Sequence, residues 1–202
     1  MTRVKMCGLR RAEDIEAANR LMPEYIGFVF APASRRYIAP EDAAVLRLRL
    51  RPGIRAVGVF VDEEESAAAR LLESGVIDIA QLHGNEDEAY IARLKARTGK
   101  PVIRAFRVKN AEDLRAAEAS PADMILLDAG AGDGKTFDWS MLSSVSRPYF
   151  LAGGLTPENT AEAVKRYHPF AVDVSSGIET DGFKDCNKMR AFMRAVREGD
   201  SE

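Results

Sequence analysis

Cysteine is scarce in this chain of 202 residues, where only Cys7 and Cys186 are present. Two cysteines are too few for a disulfide-stapled secreted scaffold, and no Cys/His cluster has the spacing of a metal site. An excess of charge of one sign is also missing, because the formal net charge is −2. The chain therefore lacks the basic balance of a nucleic-acid-binding protein, and we expect no nucleic-acid partner.

Long hydrophobic runs are absent as well. Arg3 and Lys5 interrupt the N-terminal region that a secretory signal peptide would keep apolar. No segment reaches the roughly 18 continuous apolar residues of a membrane-spanning helix. The sequence contains neither the lysine-bearing phosphate loop nor the dinucleotide-binding glycine fingerprint. We therefore expect a protein of the reducing cytoplasm that does not bind a membrane.

Short apolar runs alternate along the chain with segments of helical periodicity. We predict eight strands, at 4–7, 25–30, 56–61, 78–82, 101–106, 124–128, 149–152 and 171–174. Most of these runs are continuously apolar, which is typical of parallel strands covered on both faces. Helical spacing is clearest between Met189 and Val196, and a helix is also predicted over 11–22. Three residues are predicted to cap helices: Asn85, Thr156 and Asp185.

Eight strand–helix units in 202 residues leave about 25 residues for each unit, which is the lower size limit of eightfold barrels. The prediction is an α/β protein with a single (β/α)8 barrel, or TIM barrel, that occupies residues 1–202 as one catalytic domain. A doubly wound open sheet is the competing architecture. Two glycine-containing turns near the C-terminus favour the barrel.

These two turns follow the seventh and eighth predicted strands, where eightfold barrels frequently bind phosphate. The first turn contains Gly153 and Gly154, and the second contains Ser175, Ser176 and Gly177. Glycines let backbone N–H groups approach an anion closely, and serine hydroxyls add donors. We predict that the five residues bind phosphate. The alternative is that they only form tight turns.

Two predicted strands end in a side chain capable of proton transfer. Cys7 ends the first strand and Asp128 ends the sixth, three strands away around a closed barrel. In such a barrel the reactive groups lie at the C-terminal ends of the strands. We therefore predict that Cys7 and Asp128 flank a substrate as acid and base. The alternatives are a small buried hydrophobe for Cys7 and a helix cap or loop anchor for Asp128.

Further polar side chains are predicted at the same end of the barrel. Lys5 lies two residues before the strand-ending cysteine on the same strand face, and we predict a buried ion pair with Asp173 of the eighth strand. Arg36 is a candidate partner for a substrate carboxylate, the alternative being a solvated surface arginine. Gln81 and His83 share a face at the end of the fourth strand, where either could contact the substrate.

Taken together, these motifs resemble the phosphoribosylanthranilate isomerases of tryptophan biosynthesis. The matching segments follow family order over almost the whole chain: KMCGL at 5–9, GFVF at 27–30, SRRY at 34–37, VGVF at 57–60, QLHG at 81–84, LD at 127–128, GKTFDW at 134–139, AGGL at 152–155 and DVSSGIE at 173–179. The family implies an eightfold barrel without a cofactor. It also implies a small phosphoribosyl substrate and a monomer or a homodimer.

The resemblance implies an Amadori rearrangement of N-(5'-phosphoribosyl)anthranilate to 1-(2-carboxyphenylamino)-1-deoxyribulose 5-phosphate. At the matching positions, Asp128 is similar to the general acid that protonates the furanose ring oxygen. Cys7 is similar to the general base that removes the C2' proton. Arg36 matches the residue that holds the anthranilate carboxylate, and the two glycine-containing turns would hold the phosphate.

Two alternatives to this function stay open. A related bifunctional sugar isomerase of the tryptophan and histidine pathways uses an aspartate at the first-strand position, so Cys7 argues against it. A catalytically silent phosphosugar-binding barrel would keep the glycine turns without requiring Cys7 and Asp128. The chain departs from the family pattern at Arg35, where proline is frequent, and at Asp133, where a small residue is usual. We expect a more mobile loop at Arg35 and somewhat lower substrate affinity from Asp133.

Overall fold

Eight parallel strands close into a barrel in the computed structural model, which describes residues 1–128 and 139–201. The strands are β1 (Arg3–Cys7), β2 (Tyr25–Val29), β3 (Arg55–Phe60), β4 (Ile79–Leu82), β5 (Val102–Arg107), β6 (Met124–Asp128), β7 (Tyr149–Ala152) and β8 (Ala171–Val174). β8 closes the barrel against β1, where Lys5 is paired in register with Asp173. The predicted parallel barrel is confirmed, and the open sheet is wrong.

Helices connect most of these strands. They are α1 (Ala12–Leu21), α2 (Pro40–Arg47), α3 (Glu65–Glu73), α4 (Glu88–Thr98), α5 (Ala111–Ala119), α6 (Thr160–Tyr167) and α7 (Cys186–Asp200). Two short 3-10 helices cover Trp139–Ser144 and Ser176–Ile178, and a hairpin of β9 (Glu179–Thr180) and β10 (Phe183–Lys184) follows the second of them. Within the described ranges, no helix has both the length and the apolar character needed to cross a membrane.

Two of the three predicted helix caps are wrong. α4 is capped by Asp87, while the Asn85 side chain bonds to Asp62 in the loop after β3. α6 is capped by Asn159 instead of Thr156, because the Asn159 carboxamide accepts a hydrogen bond from the Thr156 N–H and holds an extra turn before the helix. The third predicted cap, at the start of α7, is confirmed by two backbone hydrogen bonds to its carboxylate.

The alternation of side chains along the strands determines what points into the barrel. One buried cluster draws on every strand from β2 to β8: Tyr25, Val57, Ile79, Ile103, Ala105, Leu126, Phe150, Ala152 and Ala171. A larger cluster packs between the strands and the helices. Because successive strand residues face opposite sides, His83 and Asp128 share the inward direction of Ile79 and Leu126. Both side chains therefore point into the C-terminal mouth of the barrel.

Candidate active site

Cys7 lies at the C-terminal end of β1, where its side chain packs with Val29 and Val59 and is only 8% exposed. Burial raises the pKa of the Cys7 thiol, although the positive charge of the neighbouring Lys5 opposes this shift. Because an ordinary thiol already has a pKa of roughly 8.5, the resting side chain is a neutral thiol at pH 7.

Lys5 lies below Cys7 on the same strand face and is fully buried. Its Nζ donates a hydrogen bond of 2.9 Å to Oδ1 of Asp173, which confirms the predicted ion pair. Burial disfavours the charge of Lys5, but the Asp173 carboxylate and then Cys7 outweigh it and raise the pKa of the ammonium. A fixed positive charge therefore lies beside the thiol.

Arg36 is held at the barrel mouth by a bidentate pair with Glu179. Its Nε donates to Oε1 at 2.7 Å, and its Nη2 donates to Oε2 at 2.8 Å. The aliphatic part of Arg36 lies against Gly8, which has a φ of +80° and on which a Cβ would come within 2.5 Å of the arginine Cδ. Glycine is required at this turn both by its backbone conformation and by the close approach of Arg36.

The Glu179 carboxylate also accepts a hydrogen bond of 2.6 Å from Nζ of Lys184, which is buried at the end of the hairpin. Burial disfavours the charge on Glu179, but the hydrogen bonds from Arg36 and Lys184 prevail and lower its pKa to about 2. Lys184 donates further to the carbonyl of Ser175 at 2.9 Å. The Ser175 hydroxyl in turn donates to the Cys7 carbonyl at 3.1 Å. The end of β1 and the hairpin thus share one polar network.

His83 and Asp128 meet above β5, although they follow β4 and end β6 respectively. Nε2 of His83 lies 3.4 Å from Oδ2 of Asp128, within ion-pair distance but outside hydrogen-bond geometry. Gln81 is buried below them, and its Oε1 has no hydrogen-bond partner among the described residues. A buried oxygen without a hydrogen bond lowers the stability of the fold by about 1–3 kcal/mol. A site that binds a ligand can leave such a group for the ligand to satisfy. The carboxylate, imidazole and carboxamide form one side of the mouth.

The two glycine-containing turns lie against each other at the same end of the barrel. Gly153 and Gly154 have positive φ values of 92° and 70°. Gly177 approaches the backbone carbonyl of Leu155 so closely that a Cβ there would collide with it. The Ser175 hydroxyl is directed at the Cys7 carbonyl rather than at the glycines. The turns predicted to bind phosphate are therefore adjacent in space.

Comparison with known proteins identifies the family. The family model described as N-(5'phosphoribosyl)anthranilate (PRA) isomerase matches residues 4–195. The chain belongs to this family. It is 45% identical to the N-(5'-phosphoribosyl)anthranilate isomerase of Endomicrobium trichonymphae, with 98% of this chain and 99% of the relative covered. The resemblance predicted from the motifs is confirmed, and the chain is an isomerase.

Solved phosphoribosylanthranilate isomerases have the same fold. The crystal structure from Thermotoga maritima superposes with a TM-score of 0.89 at 38% identity, and 98% of this chain and 99% of that chain are covered. Another structure of such an isomerase is a complex with reduced 1-(o-carboxyphenylamino)-1-deoxyribulose 5-phosphate. It superposes with a TM-score of 0.87 at 37% identity, again over 98% of this chain and 99% of the other.

Two charged residues of this phosphoribosylanthranilate isomerase fold were not predicted as site residues. Glu179 is the last residue of the DVSSGIE motif, so the sequence places it next to the second glycine-containing turn, but the sequence does not indicate which side chains it pairs with. Lys184 lies five residues later in a hairpin whose strands have only two residues each, too short for a periodic signal. The predicted features at Asp133 and in 134–138 lie outside the described residues. In the described part of the chain, no group of three His, Cys, Asp or Glu side chains is arranged to hold a metal ion.

Proposed function

We propose that this chain converts N-(5'-phosphoribosyl)anthranilate to 1-(2-carboxyphenylamino)-1-deoxyribulose 5-phosphate, with Asp128 as general acid and Cys7 as general base. One observation carries the proposal within this family. Cys7 and Asp128 end β1 and β6, three strands apart, and the glycine turns after β7 and β8 lie at the same end of the barrel. An acid, a base and an anion site at one mouth are what this rearrangement requires.

In the first step, the protonated Asp128 donates its proton to the furanose ring oxygen. The C1'–O bond breaks, and the nitrogen lone pair forms the C=N bond of a Schiff base. His83, 3.4 Å from the Asp128 carboxylate, supports the position of that carboxyl group. Because His83 and Asp128 approach each other across β5, both side chains lie at the C-terminal mouth of the barrel.

In the second step, the Cys7 thiolate removes the proton from C2'. The C2'–H electron pair forms a C1'=C2' double bond while the C=N electrons return to nitrogen, and the enolamine then tautomerises to the ketone. The buried Lys5 ammonium favours the thiolate, because opposite charges at short range stabilise each other in a poorly solvated site.

The anionic groups at the two ends of the substrate position the sugar between acid and base. We propose that Arg36 binds the anthranilate carboxylate, and that Gly153, Gly154, Ser175, Ser176 and Gly177 surround the phosphate. The Gln81 Oε1 is suited to accept a hydrogen bond from a sugar hydroxyl. Anchoring both ends makes the proton transfers effectively intramolecular.

A fluorescence assay tests this function directly. Loss of the phosphoribosylanthranilate fluorescence on addition of the chain is the expected result. The histidine-pathway analogue is assayed beside it under the same conditions. Comparable turnover of both compounds would favour the bifunctional isomerase, and no turnover of either would favour the silent phosphosugar-binding barrel.

Substitution of Arg36 by alanine is expected mainly to raise KM, by roughly 10-fold or more, since a charge-assisted bidentate contact to an unreacting carboxylate is lost. Steady-state kinetics with the anthranilate substrate measures the effect. The matched control is Arg35→Ala, which removes the neighbouring exposed arginine and should leave KM unchanged. An unchanged KM in Arg36→Ala would reject the carboxylate contact.

The dependence of kcat/KM on pH follows from the raised pKa of the Cys7 thiol. The active form has a protonated Asp128 and an ionised Cys7, whereas the abundant form has an ionised Asp128 and a neutral Cys7. The two forms carry the same number of protons, so their ratio does not change with pH. The active fraction is therefore constant until the thiol of the abundant form begins to ionise. We therefore expect kcat/KM to stay flat from neutral pH upwards and to fall only above the pKa of the buried thiol.

The pH profile of Cys186→Ala is the control, because the second cysteine lies at the start of α7. This variant should keep the same alkaline limb. A decline of kcat/KM that begins below pH 8 would contradict the raised thiol pKa. A steady rise between pH 7 and 9 would show that the reaction requires no protonated acid.

A further inference from the structure

Glu179 has no role in the proton transfers proposed above, yet its carboxylate is bound by both Arg36 and Lys184. We propose that Glu179 is a positioning residue, which presents the guanidinium of Arg36 to the aromatic carboxylate of the substrate while Lys184 offsets its negative charge. The inference rests on the proposed function, because it assigns Arg36 the contact to that carboxylate. It adds a residue that determines selectivity for a carboxylated substrate.

The geometry of the Arg36 pair determines which edge of the guanidinium remains for a ligand. Glu179 occupies the edge formed by Nε and Nη2. Among the described residues, no acceptor contacts Nη1 of Arg36. The edge formed by Nη1 and Nη2 can therefore take a second carboxylate with two parallel hydrogen bonds. The close contact of the arginine stem with Gly8 fixes the side chain from the other end.

The local charges allow this second carboxylate to approach. Arg36, Glu179 and Lys184 together carry a net charge of +1. Without Lys184, Arg36 and Glu179 would be neutral together, and the site would have no net positive charge to attract the substrate carboxylate. Lys184 is itself fixed, because its Nζ donates to the Ser175 carbonyl at 2.9 Å and its side chain is buried.

The hairpin that supplies Glu179 and Lys184 is also attached to the loop that supplies Arg36. The Arg10 side chain donates to the Arg35 carbonyl at 3.1 Å and to the Gly182 carbonyl at 3.2 Å. The guanidinium groups of Arg10 and Arg11 lie 4.9 Å and 4.7 Å from the centre of the Phe183 ring. These contacts hold the two segments at a fixed separation, so the Arg36–Glu179 pair is preorganised before a ligand arrives.

The test compares two ligands that differ only in the aromatic carboxyl group. The first is reduced 1-(o-carboxyphenylamino)-1-deoxyribulose 5-phosphate, and the second is its phenylamino counterpart without the carboxyl. Calorimetry gives Kd for both with the wild type, Glu179→Gln and Arg36→Ala. We expect the wild type to prefer the carboxylated ligand by roughly 10-fold or more, and Glu179→Gln to lose most of that preference. Its Kd for the ligand without the carboxyl should stay within about 2-fold of the wild-type value.

The two ligands separate failure of the inference from failure of the proposed function. No preference in the wild type would reject the Arg36 contact itself. A wild-type preference that Arg36→Ala abolishes but Glu179→Gln keeps would overturn the role of Glu179 alone. A larger preference in Glu179→Gln would also overturn it, because Glu179 would then compete with the ligand instead of presenting Arg36.

A purely structural role of Glu179 would weaken both ligands equally, and that result would also contradict the inference. If Glu179→Gln does not fold, Glu179→Asp tests the same point, because the shorter side chain keeps the charge but cannot span both Arg36 and Lys184. It should lose part of the preference. Glu198→Gln is the matched control, since this exposed carboxylate pairs only with Arg194 along α7 among the described residues and its loss should change neither Kd.

Discussion

Replacement of Cys7 by alanine is expected to lower kcat by about 100-fold or more, because the C2' proton loses its acceptor. The substrate is held by its two anionic ends, away from the sulfur, so KM should change little. The thiol is small and packs at the end of β1 in a small cluster with Val29 and Val59, so the fold should tolerate the change. Steady-state kinetics with the anthranilate substrate measures kcat and KM separately.

Two comparisons make the Cys7 result specific. Cys186→Ala removes the other thiol of the chain and should keep wild-type kcat. Cys7→Ser nearly keeps the size of the side chain, but its hydroxyl stays un-ionised where a thiol can ionise and so supplies no anionic base, and its kcat should be as low as that of the alanine variant. Near-normal kcat in Cys7→Ala would remove this residue from the mechanism.

The barrel could be predicted from the sequence because parallel strands are buried on both faces. Both faces of each strand are covered, so the strands are short continuous apolar runs, and the observed boundaries lie within one residue of those predicted. The predicted helix caps at Asn85 and Thr156 were wrong for a local reason. Asp87 and Asn159 lie within three residues of them and are also of residue types that favour the N-cap, and spacing alone does not decide between such neighbours.

Some polar contacts of the site could also be predicted from the sequence, and others could not. Alternation along β1 and closure of the barrel bring Lys5 beside Asp173, so this ion pair follows from topology. The approach of His83 to Asp128 spans β5, and it depends on how far two side chains reach over the mouth. That distance has no signature in residue spacing.

Asp128→Asn is expected to lower kcat by about 100-fold or more, since an amide of nearly the same size has no acidic proton for the furanose ring oxygen. Asp123→Asn is the matched control, because Asp123 lies just before the opposite end of β6, where its carboxylate pairs with Lys95 at 2.8 Å. The control should lose some stability in a thermal melt and keep kcat. Residues at that end of a barrel contribute to stability rather than to catalysis.

The pH dependence of the residual activity distinguishes the two proposed roles. With Asp128 replaced by asparagine, only the ionised Cys7 is required, so the residual kcat/KM should rise with pH up to the raised pKa of the thiol. With Cys7 replaced by alanine, only the protonated acid is required, and the residual kcat/KM should fall as pH rises. If both variants kept the flat wild-type profile, the two residues would not exchange protons with the substrate. Opposite slopes would assign the acid to β6 and the base to β1, because no shared structural defect produces opposite signs.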